Sequence, residues 1–514
     1  MLSAIRSSAV LGIEAYEVTV EVDVANGLPQ WVIVGLPVGA VKESRERVGA
    51  AIVNSGLTVP PKRITVNLAP ADVRKDGTTF DLPIALGILV ATGQLPADRA
   101  RCIVAVGELG LDGSLRAIRG ALPVARRVAA DPGATLVLPP ANVAEAGLVS
   151  AAKLAAPPTL RALVDALRGG ELPPAVVEHV ASASDHLADD FSDVVGQGSA
   201  KRALEIAAAG GHNACLIGSP GSGKTMLARR IPTILPAPTE DEALEVTAIH
   251  SVAGMLPPGN PLVSARPFRA PHHTISDAGL LGGGNNPRPG EVSLAHHGVL
   301  FLDELLEFRR HVLEGLRQPM EDGRIVIARA ASAVSFPARF TLVAAMNPCP
   351  CGFAGDPVRP CHCTAAEIVR YRARLSGPMA DRIDMHVSVG AVELRTLAGA
   401  APAEGSAAVR QRVEAARARQ RERLAALRGV TCNARAPARW IESHGGLTRE
   451  ARELAITAAE RLGLTARAYH RVLRVARTIA DLDGESGVAA RHVGEALRYR
   501  PVGEVEPRPH AAPG

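Results

Sequence analysis

Ala214-Cys215-Leu216-Ile217-Gly218-Ser219-Pro220-Gly221-Ser222-Gly223-Lys224-Thr225-Met226 is the stretch on which the reading of this chain turns. Four small or apolar residues predict a short buried strand, a glycine-rich loop follows, and the residues after it predict a helix over 226–231. The glycines let successive backbone N–H groups turn inward around a phosphate, Lys224 adds a point charge, and the Thr225 hydroxyl can ligate Mg²⁺. Residues 218–225 are therefore the expected nucleotide cradle, with ATP as its ligand.

Three further segments complete the expected chemistry. An apolar strand over 299–302 ends in Asp303-Glu304; behind a phosphate loop, the first carboxylate holds Mg²⁺ through water and the second polarises the attacking water. A strand over 340–345 leads to Asn347, whose amide could orient that water or the γ-phosphate. Phosphoryl transfer also needs cationic charge on the γ-phosphate oxygens, often from an arginine in trans. Arg382 is the candidate, unless it is spent on a surface ion pair with Asp381 or Asp384. An arginine acting in trans requires an oligomer.

The chain of 514 residues is too long for one ordinary core. Its 47% apolar and 21% charged content fits a globular protein. Residues 1–168 read as an α/β unit, with strands over 17–24, 31–34, 63–68, 102–108 and 135–138 and helices over 40–54, 82–92 and 122–130. A Gly-, Pro- and Ser-rich linker is expected over 169–190. Residues 191–395 alternate strand and helix as a parallel sheet with helices on its faces does. Residues 396–500 are helical, and the Pro-rich tail 501–514 is expected to be disordered. With no secretory-type start and no apolar run of about 18 residues, the expected location is the cytoplasm and no membrane partner is expected.

Cys349, Cys351, Cys361 and Cys363 form one tight group, while Cys102, Cys215 and Cys432 stand apart. Four thiolates suffice for tetrahedral Zn²⁺, with His362 as a substitute ligand; packed reduced thiols are the alternative. His272-His273 and His296-His297 invite a second metal site, but no acidic or thiol partner is spaced in sequence to complete one. They are expected to be polar loop histidines. The arginine run 410–428 is either a phosphate-backbone contact or a solvated helix face. Arg324, Arg329 and Arg339 are the better DNA candidates. With two Trp, four Tyr and eight Phe in the whole chain, base stacking is not a major binding mode.

Taken together, these residues resemble the magnesium-chelatase-like AAA+ proteins of the YifB/ComM family. The matching phrases are Phe191-Ser192-Asp193-Val194-Val195-Gly196-Gln197, the run 200–213, Arg266-Pro267-Phe268-Arg269-Ala270-Pro271-His272-His273-Thr274, Met346-Asn347-Pro348-Cys349-Pro350-Cys351-Gly352 and the run 475–482. The resemblance implies a hexameric ring, a presensor hairpin near 324–339, and ATP-driven branch migration of DNA during natural transformation. It also implies a lid arginine on the γ-phosphate, best matched by Arg467 with Arg471 as runner-up. The fold implied is a P-loop AAA+ α/β/α core with an all-α lid, behind an N-terminal α/β domain similar to the Lon protease (ribosomal S5 domain 2-like) fold. In that domain Thr79 stands where the protease serine would be. No lysine stands near 118–123 to act as its base, so proteolysis is not expected. The runner-up reading is a chelatase-like motor that drives metal insertion through a protein partner. The Asp-x-Ser-x-Ser metal pattern used in chelatase systems does not occur in the chain.

Overall fold

The computed structural model describes residues 1–36, 39–71, 73, 75, 77–177, 189–257, 261–284, 287–329, 332–391 and 403–500. The expected tail 501–514, residues 178–188 of the linker, the boundary near 395 and the tip of the 324–339 hairpin lie outside these residues. Alternation sets the first sheet: Val18, Val20, Val22 and Val24 fall on one buried face of a single strand. Its strands are β1 (Leu2–Leu11), β2 (Glu14–Ala25), β3 (Gln30–Val34), β4 (Arg63–Ala69), β5 (Ile103–Ala105), β6 (Thr135–Val137) and β7 (Lys153–Ala155). They lie in the order β3-β4-β2-β1-β5-β6-β7. Helices α1 (Ala40–Asn54), α2 (Asp81–Ala91) and α3 (Ala121–Ala129) pack on this sheet. Every residue of α2 is buried, so it needs no amphipathic period.

β1 has no counterpart among the sequence expectations. Its inward positions include Ser3 and Ser7, which carry no apolar signal. The structure buries them because Ser3 Oγ donates to Gly87 O (2.7 Å) and Ser7 Oγ to Ala105 O (2.8 Å).

The second sheet is entirely parallel. The elements of this part of the chain include α4 (Gly198–Gly210), β8 (Ala214–Ile217), α5 (Lys224–Arg229), α6 (Glu240–Ala253), β9 (Phe268–Arg269), α7 (Asp277–Leu281), the short separate pair β10 (Gly282–Gly283) and β11 (Arg288–Pro289), β12 (Val299–Leu302), the separate hairpin β13 (Arg324–Arg329) and β14 (Ser332–Pro337), β15 (Thr341–Met346) and β16 (Met385–Ser388). The five-stranded order is β9-β12-β15-β8-β16. Because all five run the same way, the C-terminal ends of β8, β12 and β15 open on one edge, where such sheets bind ligands.

Helices α8 (Ser406–Leu424), α9 (Arg449–Arg461), α10 (Ala466–Leu482) and α11 (Ala490–Leu497) follow and share one core with α4 and β16. The chain is thus a mixed α/β protein with a helical C-terminal region. The arginines of α8 are used in this packing. Arg410 donates to Thr233 O (2.8 Å), Arg412 to Glu205 (2.5 Å), Arg417 to Ala208 O (2.9 Å) and Arg423 to Asp481 (2.6 Å). Of the two readings of the 410–428 run, the phosphate-backbone one loses most of its donors: carbonyl and carboxylate groups of α4, of α10 and of Thr233 take them. Among the described residues no helix is long and apolar enough to cross a membrane.

Candidate active site

Three strand ends bring part of the expected residue set together. β8 runs into the 218–223 loop, β12 into Asp303-Glu304, and β15 into Asn347. The loop needs its glycines: Gly221 and Gly223 hold φ of 81° and 87°, and a Cβ at Gly218 would lie 2.2 Å from Val389 O. Lys224 folds back over the loop and donates to Gly218 O (2.7 Å), Ser219 O (2.9 Å) and Asn347 Oδ1 (3.4 Å). Burial lowers its pKa, and the Asp303 carboxylate opposes that shift. Thr225 Oγ1 donates to Asp303 Oδ2 (2.7 Å), so the two oxygen groups that fit a hard cation such as Mg²⁺ are in contact. The Glu304 backbone is left-handed (φ 51°) and its N–H donates to Asp303 Oδ1 (3.0 Å). Its side chain is exposed and faces His273, whose place beside an acidic residue the sequence spacing does not reveal.

Arg382 and Arg467 meet elsewhere. Both line a cavity of about 470 Å³ together with Glu321, Asp384 and Arg471, and no residue of the 218–225 loop lines it. Arg382 is buried and donates to Pro378 O (2.6 Å) and to Glu321, rather than pairing with Asp381 or Asp384. Asp384 is engaged differently. Burial would raise its pKa, but His212, the Arg471 guanidinium 3.4 Å away and the Asn213 N–H bring it down to about 2. Arg471 is thus committed to Asp384, whereas Arg467 is exposed on the first turn of α10.

The four grouped cysteines converge. Cys349 Sγ lies 3.4 Å from Cys351 Sγ and 3.7 Å from Cys361 Sγ, and the Cys351 and Ala354 N–H groups donate to the sulfurs of Cys363 and Cys349. A Zn–S bond of about 2.3 Å gives tetrahedral S···S edges of about 3.8 Å, close to these separations. The four Sγ atoms with their N–H donors therefore fit Zn²⁺, and His362 is not part of the group. The cysteine loop also touches the nucleotide loop, since a Cβ at Gly352 would lie 2.7 Å from Pro220 Cδ.

One expectation is corrected. Sequence spacing offers His296-His297 no acidic partner, yet α6 brings Glu245 Oε2 within 3.0 Å of His296 Nε2 and 2.9 Å of His297 Nε2. The three residues are close enough to consider a metal. However, His296 Nδ1 accepts the Arg339 N–H at 2.9 Å, so Nε2 must carry the ring proton and donates it to Glu245. The trio is a hydrogen-bonded clip at the base of the β13–β14 hairpin. In the first sheet, Thr79 lines a cavity of about 570 Å³ beside Thr78, Glu108 and Arg119. Thr78 donates to Glu108 there, and among the described residues no lysine lines that cavity.

Three family descriptions match the chain: "Magnesium chelatase, subunit ChlI" over residues 190–397, "Subunit ChlI of Mg-chelatase" over 20–142, and "Magnesium chelatase, subunit ChlI C-terminal" over 403–500. The chain is 44% identical to the competence protein ComM of Haemophilus influenzae, covering 97% of each chain. It is also 44% identical to the protein YifB of Escherichia coli, covering 98% of this chain and 97% of that one. A 38 kDa magnesium-chelatase subunit of Rhodobacter capsulatus is 28% identical over 31% of this chain and 50% of its own length.

Proposed function

The chain belongs to the YifB/ComM family of magnesium-chelatase-like AAA+ proteins, and from that premise we propose an ATP-hydrolysing ring motor, a hexamer, that remodels branched DNA in the cytoplasm. Residues 1–168 form its N-terminal domain in this reading, 191–395 its ATPase core and 396–500 its lid. The observation that carries the proposal is the separation of two half-sites. Lys224, Thr225, Asp303, Glu304 and Asn347 gather at one sheet edge, while Arg382 and Arg467 line a cavity that none of the loop residues enters.

Each group then has one task. The loop N–H groups and Lys224 bind the phosphates, and Lys224 must exchange its carbonyl partners for phosphate oxygen. Thr225 and Asp303 would hold Mg²⁺, which would supply positive charge against the phosphates. Glu304 takes the proton of the attacking water, and Asn347 orients that water. Arg382 and Arg467 of a neighbouring copy stabilise the charge that spreads over the γ-phosphate. Cys349, Cys351, Cys361 and Cys363 would hold a structural Zn²⁺, which would stiffen the loop beside the nucleotide loop. The name of the ComM relative, a competence protein, supports DNA as the substrate.

The test is ATP turnover and strand exchange on labelled four-way junctions and forks, comparing the natural chain with Glu304→Gln. Losing the general base should cut kcat by about 100-fold or more, and strand exchange should vanish with it. ATP turnover that no DNA changes, but that a protein partner stimulates, would favour the chelatase-like motor instead.

A further inference from the structure

β1 has a neighbour on each side in the first sheet, but the two cover it unequally. β2 pairs with every residue from Leu2 to Leu11, whereas β5 meets β1 at Arg6 opposite Val104 and no further among the described residues. In an antiparallel pair, alternate residues turn their N–H and C=O away from the partner strand. Over residues 8–11 those outward groups take no main-chain or side-chain partner among the described residues. Ser8 is nevertheless buried, so the edge runs out of protein partners while still inside the fold. The path of the chain after β5 is the reason. Gly107 N–H donates to Thr79 O (2.9 Å) and Gly107 O accepts the Leu82 N–H (3.1 Å), which draws the chain off β1 and toward α2.

The space left beside the free edge is the cavity of about 570 Å³ that residues 8–12 help to line. Phe80, Ile118, Val124 and Val252 give it an apolar wall. Arg119 and Arg288 line it as well; both are exposed, and neither guanidinium takes a hydrogen bond or an ion pair among the described residues. Glu108, the acid among the lining residues, already accepts the Thr78 hydroxyl. Two cations against one engaged carboxylate favour an acidic occupant. At the end of the edge a Cβ on Gly12 would lie 3.0 Å from Val334 Cγ1, so whatever fills the cavity sits next to the β13–β14 hairpin.

We propose that this cavity is a docking site for an extended segment of a partner protein, which adds to the free edge of β1 as a short strand and sets an acidic side chain against Arg119 and Arg288. A polypeptide is the occupant because its main chain offers N–H and C=O groups at the strand repeat of about 3.3 Å, and four residues opposite 8–11 span about 13 Å. The main-chain bonds give affinity whatever the sequence, while the apolar wall and the two arginines select among segments. A partner held here is carried beside the hairpin. The site shares no residue with the nucleotide loop, so the inference stands apart from the reading of ATP hydrolysis.

The experiment selects a display library of random nonapeptides against the full-length chain and measures the enriched peptides by fluorescence anisotropy. They should carry apolar or β-branched residues at alternate positions with at least one acidic residue, and should compete for one site. N-methylation of two alternate amides in the best peptide should weaken binding by about ten-fold or more, the loss of two hydrogen bonds. Arg119→Glu should weaken it by about five-fold or more, and Ala117→Trp, on the exposed rim of the cavity, should block it. ATP turnover without peptide should match the natural chain in both variants, which checks that they fold; the N-methyl comparison uses the natural chain and holds regardless. No enrichment, or binding that any one of these three changes leaves intact, overturns the proposal. So does a labelled DNA strand of about 20 nucleotides that binds the natural chain and is lost in Arg119→Glu while no peptide is enriched, since the arginines then serve nucleic acid.

Discussion

His296 is almost wholly buried between α6 and the base of the β13–β14 hairpin, and one backbone bond fixes its protonation. Only a neutral ring can accept the Arg339 N–H at Nδ1, in keeping with burial, which lowers its pKa to about 4 against the help of Glu245. The unfolded chain takes up a proton near pH 6.5 and the folded one does not, so stability is complete above about 6.5 and is lost as pH falls toward 4. At about 1.4 kcal/mol per pH unit, this group alone removes about 2 kcal/mol by pH 5. Urea midpoints taken from pH 7.5 to 5 should fall accordingly, and the slope should be shallower in His296→Gln. Two arginines that sequence leaves close in rank differ in their partners. Arg471 is bound to Asp384 and Arg467 is free to leave its surface. Arg467→Ala should therefore lower kcat by about 10-fold or more with little loss of stability, whereas Arg471→Ala should lower the melting temperature, because it strips a charge partner from buried Asp384.

The cysteine loop and the nucleotide loop behave as one element because Gly352, at φ 87°, packs directly on Pro220. The proposed Zn²⁺ should come off at about one metal per chain on treatment with a chelator and a thiol-modifying reagent, and its loss should raise KM for ATP before the rest of the protein unfolds. Gly352→Val combines the left-handed strain with the clash and should weaken nucleotide binding by about 1–3 kcal/mol, read by titration with a fluorescent ATP analogue. The β13–β14 hairpin is a separate element whose proposed task is electrostatic. Arg324→Ala should weaken binding to all DNA sequences alike and reduce the slope of log K against log salt by about one.

Across the whole molecule, the placement of Arg382 and Arg467 away from the nucleotide loop predicts complementation between copies. Lys224→Ala and Arg382→Ala should each be inactive alone, and a mixture should regain part of the turnover through seams built from one intact half of each. Glu321, the partner that Arg382→Ala leaves behind, is about half exposed and should not cost the fold. Full turnover by a strictly monomeric preparation would exclude the shared site. The first sheet is also coupled to the core: Ser251 of α6 donates to buried Glu145, and Ile13, in the turn between β1 and β2, packs on the hairpin. The sequence alone determined the parallel sheet, the nucleotide loop and the residues at its strand ends, since each depends on a few adjacent positions and parallel strands must end on one edge. Only the tertiary structure decided which partner each charged side chain takes. Glu245 reaches His296 from 51 residues away, Glu321 reaches Arg382 from 61, and Arg410, Arg417 and Arg423 of α8 are taken up by Thr233, Ala208 and Asp481. Such pairings depend on how distant elements pack against one another, and local periodicity carries no record of that.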